Sequence, residues 1–402
     1  MKRPGEVTPI TTPSKIHNWV LSEKTPEKKR GPPMSLKPSP TKQIVKRNTP
    51  RADPIKTYVF FDLECTGLIK NDEYRNLPCN NYEKSDDFFH HLEAFCMHTR
   101  TDELPHITEM SFVAISRETF DEIKEKRKND AMRNDQNPEE KRILAEYVAT
   151  NTHTRQLNPL INEDKWREYE NTRNNDKKEV LVHPKKLCLR NNTFKQEWPA
   201  VVNFLDSLQK PVLLVGHNAL RYDLRVIYGE MQRNGLRDDC KLPEDVFFMD
   251  SLLMAKQIEN EAFKKLTDIC KFIDFSKISP KEEDEEVQIT DSSNRPIGRP
   301  VASSRGPAND HPRHTIKWDE FSVALRKRIP MNGFVRTENG GWTFKYAGTN
   351  RYKLEIIYKE VVGGEYTAHY AQQDAEALMH TCLSYGNDFT KFADVFAAPI
   401  PF

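Results

Sequence analysis

Tyr58-Val59-Phe60-Phe61 is an unbroken apolar run that ends on Asp62-Leu63-Glu64. Consecutive bulky residues with no polar alternation demand a strand covered on both faces, so the chain must lay helices on each side of a sheet. Pro211-Val212-Leu213-Leu214-Val215 and Val246-Phe247-Phe248-Met249 are runs of the same kind, and 107–115 is another strand candidate. Residues 180–189 are a weaker candidate, interrupted by Pro184. Helical spacing covers 198–208, with Pro199 suited to a first turn, then about 220–233, the stretch after Asp250, 352–362 and 372–385. Strands alternating with helices predict an α/β protein with a mixed central sheet flanked by helices.

The rest of the chain is polar. Hydrophobic content is 37 % against 30 % charged, which leaves room for one core with sizeable segments outside it. Residues 1–56 hold thirteen Lys/Arg, four Asp/Glu and ten Pro. They read as a disordered basic tail in which Lys28-Lys29-Arg30 is either a nuclear-import signal, a phosphate tether or an ordinary solvated run. Residues 57–390 form the folded part, with surface insertions about 70–104, 118–178 and 276–314, and 391–402 a short C-terminal tail. The acid run 282–286 reads as a solvated loop, because a metal site needs converging ligands. The net charge of +1 hides this asymmetry and does not exclude nucleic acid. The 7 Cys lack zinc-like spacing and read as buried free thiols. No apolar run reaches the ~20 residues of a membrane span, and residues 1–20 lack the apolar core of a secretory signal. The expected location is therefore intracellular, in nucleus or cytoplasm, with no membrane partner.

Three blocks carry acids. Asp62 and Glu64, two apart on a strand, point to one face at its carboxyl end, and Gly67 then lets the backbone turn. Alone, such a pair is usually a solvated strand end. Asp223 opens a helix after Gly216-His217-Asn218-Ala219-Leu220-Arg221-Tyr222. In isolation His217 and Asn218 would be a structural His and a helix cap, whereas Arg221 and Tyr222 offer a cation for phosphate and a ring for a base. Asp374 lies near the start of an Ala-rich helix. His369, five residues earlier, is about 140° away on a helical wheel, so it belongs to the preceding loop, free to swing over the site. Carboxylates from such distant positions cluster only around positive charge, and a pair of hard divalent cations points to phosphoryl transfer on nucleic acid.

Taken in order, Phe60-Phe61-Asp62-Leu63-Glu64-Cys65-Thr66-Gly67-Leu68, the second block and His369-Tyr370-Ala371-Gln372-Gln373-Asp374-Ala375-Glu376-Ala377-Leu378 resemble the DEDD exonuclease superfamily. Within it they resemble the three-prime repair exonucleases of the His subgroup (DEDDh). Met249-Asp250-Ser251-Leu252 and Tyr352-Lys353-Leu354-Glu355-Ile356-Ile357-Tyr358 are similar to that family too. The resemblance implies an RNase-H-like exonuclease domain over 57–390 and 3′→5′ exonuclease activity in DNA repair. It implies two Mg²⁺ ions, replaceable by Mn²⁺, on Asp62, Glu64, Asp223 and Asp374, with His369 as general base. It also implies a terminal-nucleotide pocket formed by Glu64, Cys65, Leu68 and Tyr222, with His217, Asn218 and Arg221 beside it, and a possible homodimer. The expected partner is nucleic acid, chiefly single-stranded DNA 3′ ends.

Tyr370-x-x-x-Asp374 also fits the Tyr subgroup of the superfamily, but an imidazole near pKa ~6.5 is poised for neutral pH and a phenol near ~10 is not. One stretch departs from the family: Leu187-Cys188-Leu189-Arg190-Asn191-Asn192 lacks the Gly of the segment that positions the strand terminus. Two rival readings share these residues. One is an RNA 3′ exonuclease with the same site, since sugar discrimination rests on contacts to the 2′-hydroxyl. The other is an inactive nuclease fold kept as a nucleic-acid-binding scaffold.

Overall fold

A computed structural model describes residues 53–69, 101, 104–133, 150–175, 181, 183–272, 316–338, 341–345, 351–400 and 402. Expectations for the basic tail as far as residue 52, for nearly all of 70–104 and for 276–314 lie outside the described residues.

The described chain runs β1 (Thr57–Cys65), β2 (Ile107–Ser116), α1 (Arg117–Arg133), β3 (Asn151–Gln156), α2 (Glu163–Asn175), α3 (Lys185–Cys188), α4 (Phe194–Asp206), β4 (Val212–Gly216), α5 (Asp223–Arg233), α6 (Leu236–Asp239), β5 (Val246–Asp250) and α7 (Ser251–Phe272). It continues through α8 (Val323–Arg328), β6 (Phe334–Arg336), β7 (Trp342–Phe344), α9 (Leu354–Val361), α10 (Ala371–Tyr385), α11 (Asn387–Phe396) and β8 (Ala398–Pro399). Six strands form one sheet in the order β3-β2-β1-β4-β5-β8. β1, β4 and β5 are parallel, while β2, β3 and β8 run against their neighbours. This is the mixed, helix-flanked sheet expected of an RNase-H-like core.

The apolar runs became the buried centre. Every residue of β4 and β5 is buried, as is β1 up to Phe61. Period-two alternation sends Tyr58, Phe60, Asp62 and Glu64 to one face. On that face Tyr58 packs edge-on against Phe120 of α1 and Phe389 of α11, both with ring centroids 5.0 Å apart. Further along, α10 lies across β1 and β2, and its fully buried Ala371 and Ala375 permit the close approach. The two carboxylates therefore emerge where a helix covers the sheet. β7 packs against α7 through Phe344 and Phe263, with centroids 5.4 Å apart.

Four sequence expectations are corrected. Residues 118–178 are not one insertion: they include most of α1, the edge strand β3, and α2. Among the described residues of 180–189 there is no strand: Lys185–Cys188 is helical, and it is β3 that pairs with β2. α4 starts four residues earlier than predicted, where Gln196 accepts the Thr193 N–H at 2.9 Å, so Pro199 stands in the second turn. Residues 391–402 are not a tail: they finish α11, pair with β5 and bury Phe402 against Tyr228. At the other end Ile55, expected in the tail, is fully buried, and Lys56 N–H donates to Pro211 O.

Candidate metal centre

β1 supplies Asp62 and Glu64 from its carboxyl end, the turn after β4 leads to Asp223 at the first position of α5, and α10 contributes Asp374 from its first turn. One carboxylate oxygen from each of Asp62, Glu64 and Asp374 lies within 4.8 Å of the others. Asp223 is buried beside them and its charge is felt by Asp62 and Glu64. Three of the four predicted acids thus converge from two elements, and the fourth, Asp223, acts on them electrostatically from a third.

The sheet register brings a further acid. Glu109 of β2 stands directly opposite Glu64, and the ladder slips between Glu64 and Cys65, so that Cys65 faces Ile107. Such a bulge re-aims side chains at a strand end. Glu109 accepts from Ala371 N–H at 3.0 Å and lies 3.0 Å from His183 Nε2, tying β2 to the start of α10. β2 also carries Thr108 and Ser111, so Glu109 does not stand out in the sequence before α10 docks.

The electrostatics follow from burial and mutual repulsion. Burial first, and then Asp223, Asp374, Glu64 and Glu109, push Asp62 far above the usual carboxylate range. Burial, Asp374, Glu109 and Asp223 push Glu64 up to about 9. Asp223 rises to about 7 through burial, opposed by backbone hydrogen bonds from its own residue and Leu63 and reinforced by Asp250 and Asp374. Burial also raises Asp374, although a Tyr366 hydrogen bond and the His369 backbone oppose the rise. Among the described residues no Lys or Arg is paired with Asp62, Glu64 or Asp374. An all-oxygen donor set with unbalanced negative charge is what a hard divalent cation requires.

The loop ahead of α10 is pinned. His369 adopts φ 69°, in the left-handed region, and its N–H donates to Asp374 Oδ2 at 2.7 Å. The residue expected to swing freely is held by its backbone to a site acid. Tyr370 caps α10 and its ring faces His183, with centroids 6.1 Å apart. Tyr366, which the sequence reading did not single out, donates from Oη to Asp374 Oδ1 at 2.7 Å.

Residues predicted to line a nucleotide pocket divide into two groups. Leu68 is 77 % exposed next to the acids, Cys65 is buried, and the Tyr222 hydroxyl donates to Gly67 O, bracing the turn after β1. Arg221 stands partly exposed two residues before Asp223. The His217 ring and the Asn218 backbone instead belong to the scaffold. His217 Nδ1 lies 2.9 Å from Ser251 Oγ and Nε2 lies 2.7 Å from Tyr352 O, so neither ring nitrogen is left for a ligand. Asn218 turns at φ 61° and donates its N–H to Asp250, whose carboxylate also accepts from Leu220 and Leu252 N–H. The stretch that departs from the family forms a wall of a cleft of about 470 Å³ that opens beside Glu109. Arg190, Asn191 and Asn192 face Thr154, Arg155 and Gln156 across it.

No protein-family profile matches the chain, and no curated protein matches it in sequence. Among solved structures it is similar to E. coli exonuclease I in complex with a dA16 oligonucleotide, at 10 % identity and TM-score 0.37 over 84 % of this chain and 42 % of that one. A product-bound exonuclease I gives 10 % and 0.36 over 84 % and 46 %, and the zinc-bound E. coli complex with single-stranded DNA gives 11 % and 0.34 over 82 % and 40 %. The chain spans less than half the length of these proteins.

Proposed function

We propose that this protein is a divalent-metal-dependent 3′→5′ exonuclease that hydrolyses phosphodiesters at DNA 3′ ends. The observation that carries the reading is the convergence of Asp62, Glu64 and Asp374 within 4.8 Å, with buried Asp223 adjacent and no Lys or Arg paired with the three among the described residues. Asp62, Glu64, Asp223 and Asp374 would hold two Mg²⁺ ions, which supply Lewis-acid charge at the scissile phosphate and lower the pKa of water. His369 accepts the proton of the attacking water on its ring. Its backbone N–H bond to Asp374 holds residue 369 beside that acid, which supports this role. Leu68 offers an apolar surface to the terminal base, and Tyr222 fixes the turn that presents it. Arg221 supplies positive charge for the phosphate chain.

The test is a time course on 5′-labelled single-stranded DNA and RNA of one sequence, with Mg²⁺ or with EDTA. The reading expects a DNA ladder that shortens from the 3′ end and stops in EDTA. Faster shortening of RNA would reassign the substrate. Both polymers intact in Mg²⁺ and in Mn²⁺, but retained on a gel as complexes, would replace the enzyme with a binding scaffold.

A further inference from the structure

Both oxygens of Asp374 are engaged by the segment that precedes α10: Tyr366 Oη donates to one and His369 N–H to the other, each at 2.7 Å. The path of this segment is costly. Gly363 and Gly364 adopt φ 95° and 83°, and His369, which has a side chain, adopts 69°. A left-handed residue other than glycine persists only where its surroundings hold it. Tyr366 is itself aimed, because its half-buried ring packs edge-on against Tyr358 of α9, with centroids 4.9 Å apart. Tyr370, although nearer in sequence, is 38 % exposed and turned to His183.

We infer that Tyr366 is a positioning residue of the metal centre. Its hydroxyl fixes the orientation of the Asp374 carboxylate toward Asp62 and Glu64, and the same bond anchors the segment that carries His369. The inference rests on the reading of the four acids as a divalent-cation site. Hydrogen-bond partners behind a ligating carboxylate typically govern about 10–100-fold in metal affinity or activity. The His369 donor is a backbone group that no side-chain substitution removes, so the phenol is the accessible lever. Tyr366 acts through Asp374 and need not touch the nucleic acid.

The test uses the full chain and Mn²⁺ itself, with free ion counted by electron paramagnetic resonance at neutral pH. Tyr366→Phe keeps the ring and its contact with Tyr358 and removes only the donor. It should weaken Mn²⁺ binding by about 10–100-fold, while Tyr358→Phe stays close to wild type and Asp374→Asn loses an ion. On DNA, Tyr366→Phe should lower kcat with KM little changed, since the lost bond faces the acid and not the substrate. Wild-type Mn²⁺ affinity in Tyr366→Phe, alongside a loss in Asp374→Asn, would overturn the inference. So would weak binding accompanied by a clearly lower melting temperature in EDTA, because the defect would then be one of folding. Mn²⁺ binding that depends on Tyr366 in a protein cleaving no phosphodiester would uphold the inference and remove the nuclease reading.

Discussion

Glu259 and Glu64 are both acids drawn into the interior, but their surroundings are opposite. Glu259 of α7 is 1 % exposed, and every charge around it is answered. Arg328 of α8 pairs with it and with Glu360 of α9, and Arg351 also donates to Glu360, at 2.9 Å. The hydroxyls of Tyr352 and Tyr385 each donate to Glu259 at 2.9 Å. Glu64 is raised by burial first and then by the neighbouring carboxylates of Asp374, Glu109 and Asp223. The first arrangement locks α7, α8, α9 and α10 together. The second opposes folding unless protons or cations join it, which marks it as a site kept for its chemistry.

The comparison is sharpened most strongly by removing one acid. Asp62→Asn should lower hydrolysis by about 10³-fold or more, corresponding to about 4 kcal/mol of lost stabilisation from the ions. The same variant in EDTA should melt at or above wild type, because an amide fits beside the other acids without having to take up a proton first. Kinetics and calorimetry on a single preparation check both halves, and a large drop in melting temperature would mean that Asp62 is structural.

The paired network should behave in reverse. Arg328→Met leaves Glu259 buried without its cation and should cost about 3–5 kcal/mol of stability in urea unfolding. Specific activity per folded molecule should stay near wild type. A neutral result would break the contrast.

pH supplies a smaller effect with a defined sign. Glu64 rises from its ordinary value of 4.5 to about 9, and Asp223 from 3.8 to about 7. The folded metal-free protein therefore holds protons that the unfolded chain has released. This contribution to stability is full below the unfolded values and is lost as pH rises through about 7 for Asp223 and about 9 for Glu64. In EDTA the melting temperature should be higher at pH 6 than at pH 8.5, and saturating Mg²⁺ should shrink that gap. An equal gap with and without Mg²⁺ would separate these acids from the ion.

His217→Ala should have the smallest effect. It removes both ring contacts between the β4 turn, α7 and the Tyr352 backbone, at a cost of about 1–3 kcal/mol by thermal unfolding. A loss of DNA affinity with stability intact would return His217 to the substrate side.

The parts legible in the sequence were those whose physics is local. Unbroken apolar runs gave β1, β4 and β5, and Asp62-x-Glu64 at a strand end fixed one face of the site. β3 was hidden because Asn151-Thr152-His153-Thr154-Arg155-Gln156 is an edge strand with a single fully buried side chain, so it shows no apolar pattern. The resemblance set His217 beside the substrate pocket, whereas its two partners, Ser251 and Tyr352, lie far away in the chain and could not be read from the sequence. Tyr366 and Glu109 were missed for a similar reason: each becomes meaningful only when α10 meets the sheet.

The central claim is that Asp62, Glu64, Asp223 and Asp374, the first two and the last paired with no Lys or Arg among the described residues, hold divalent cations. Crystals grown in Mn²⁺ and measured for anomalous scattering test it directly. The account predicts two peaks, about 3.5–4 Å apart, bounded by Asp62, Glu64, Asp223 and Asp374. Full Mn²⁺ exposure with no peak at these carboxylates would contradict it.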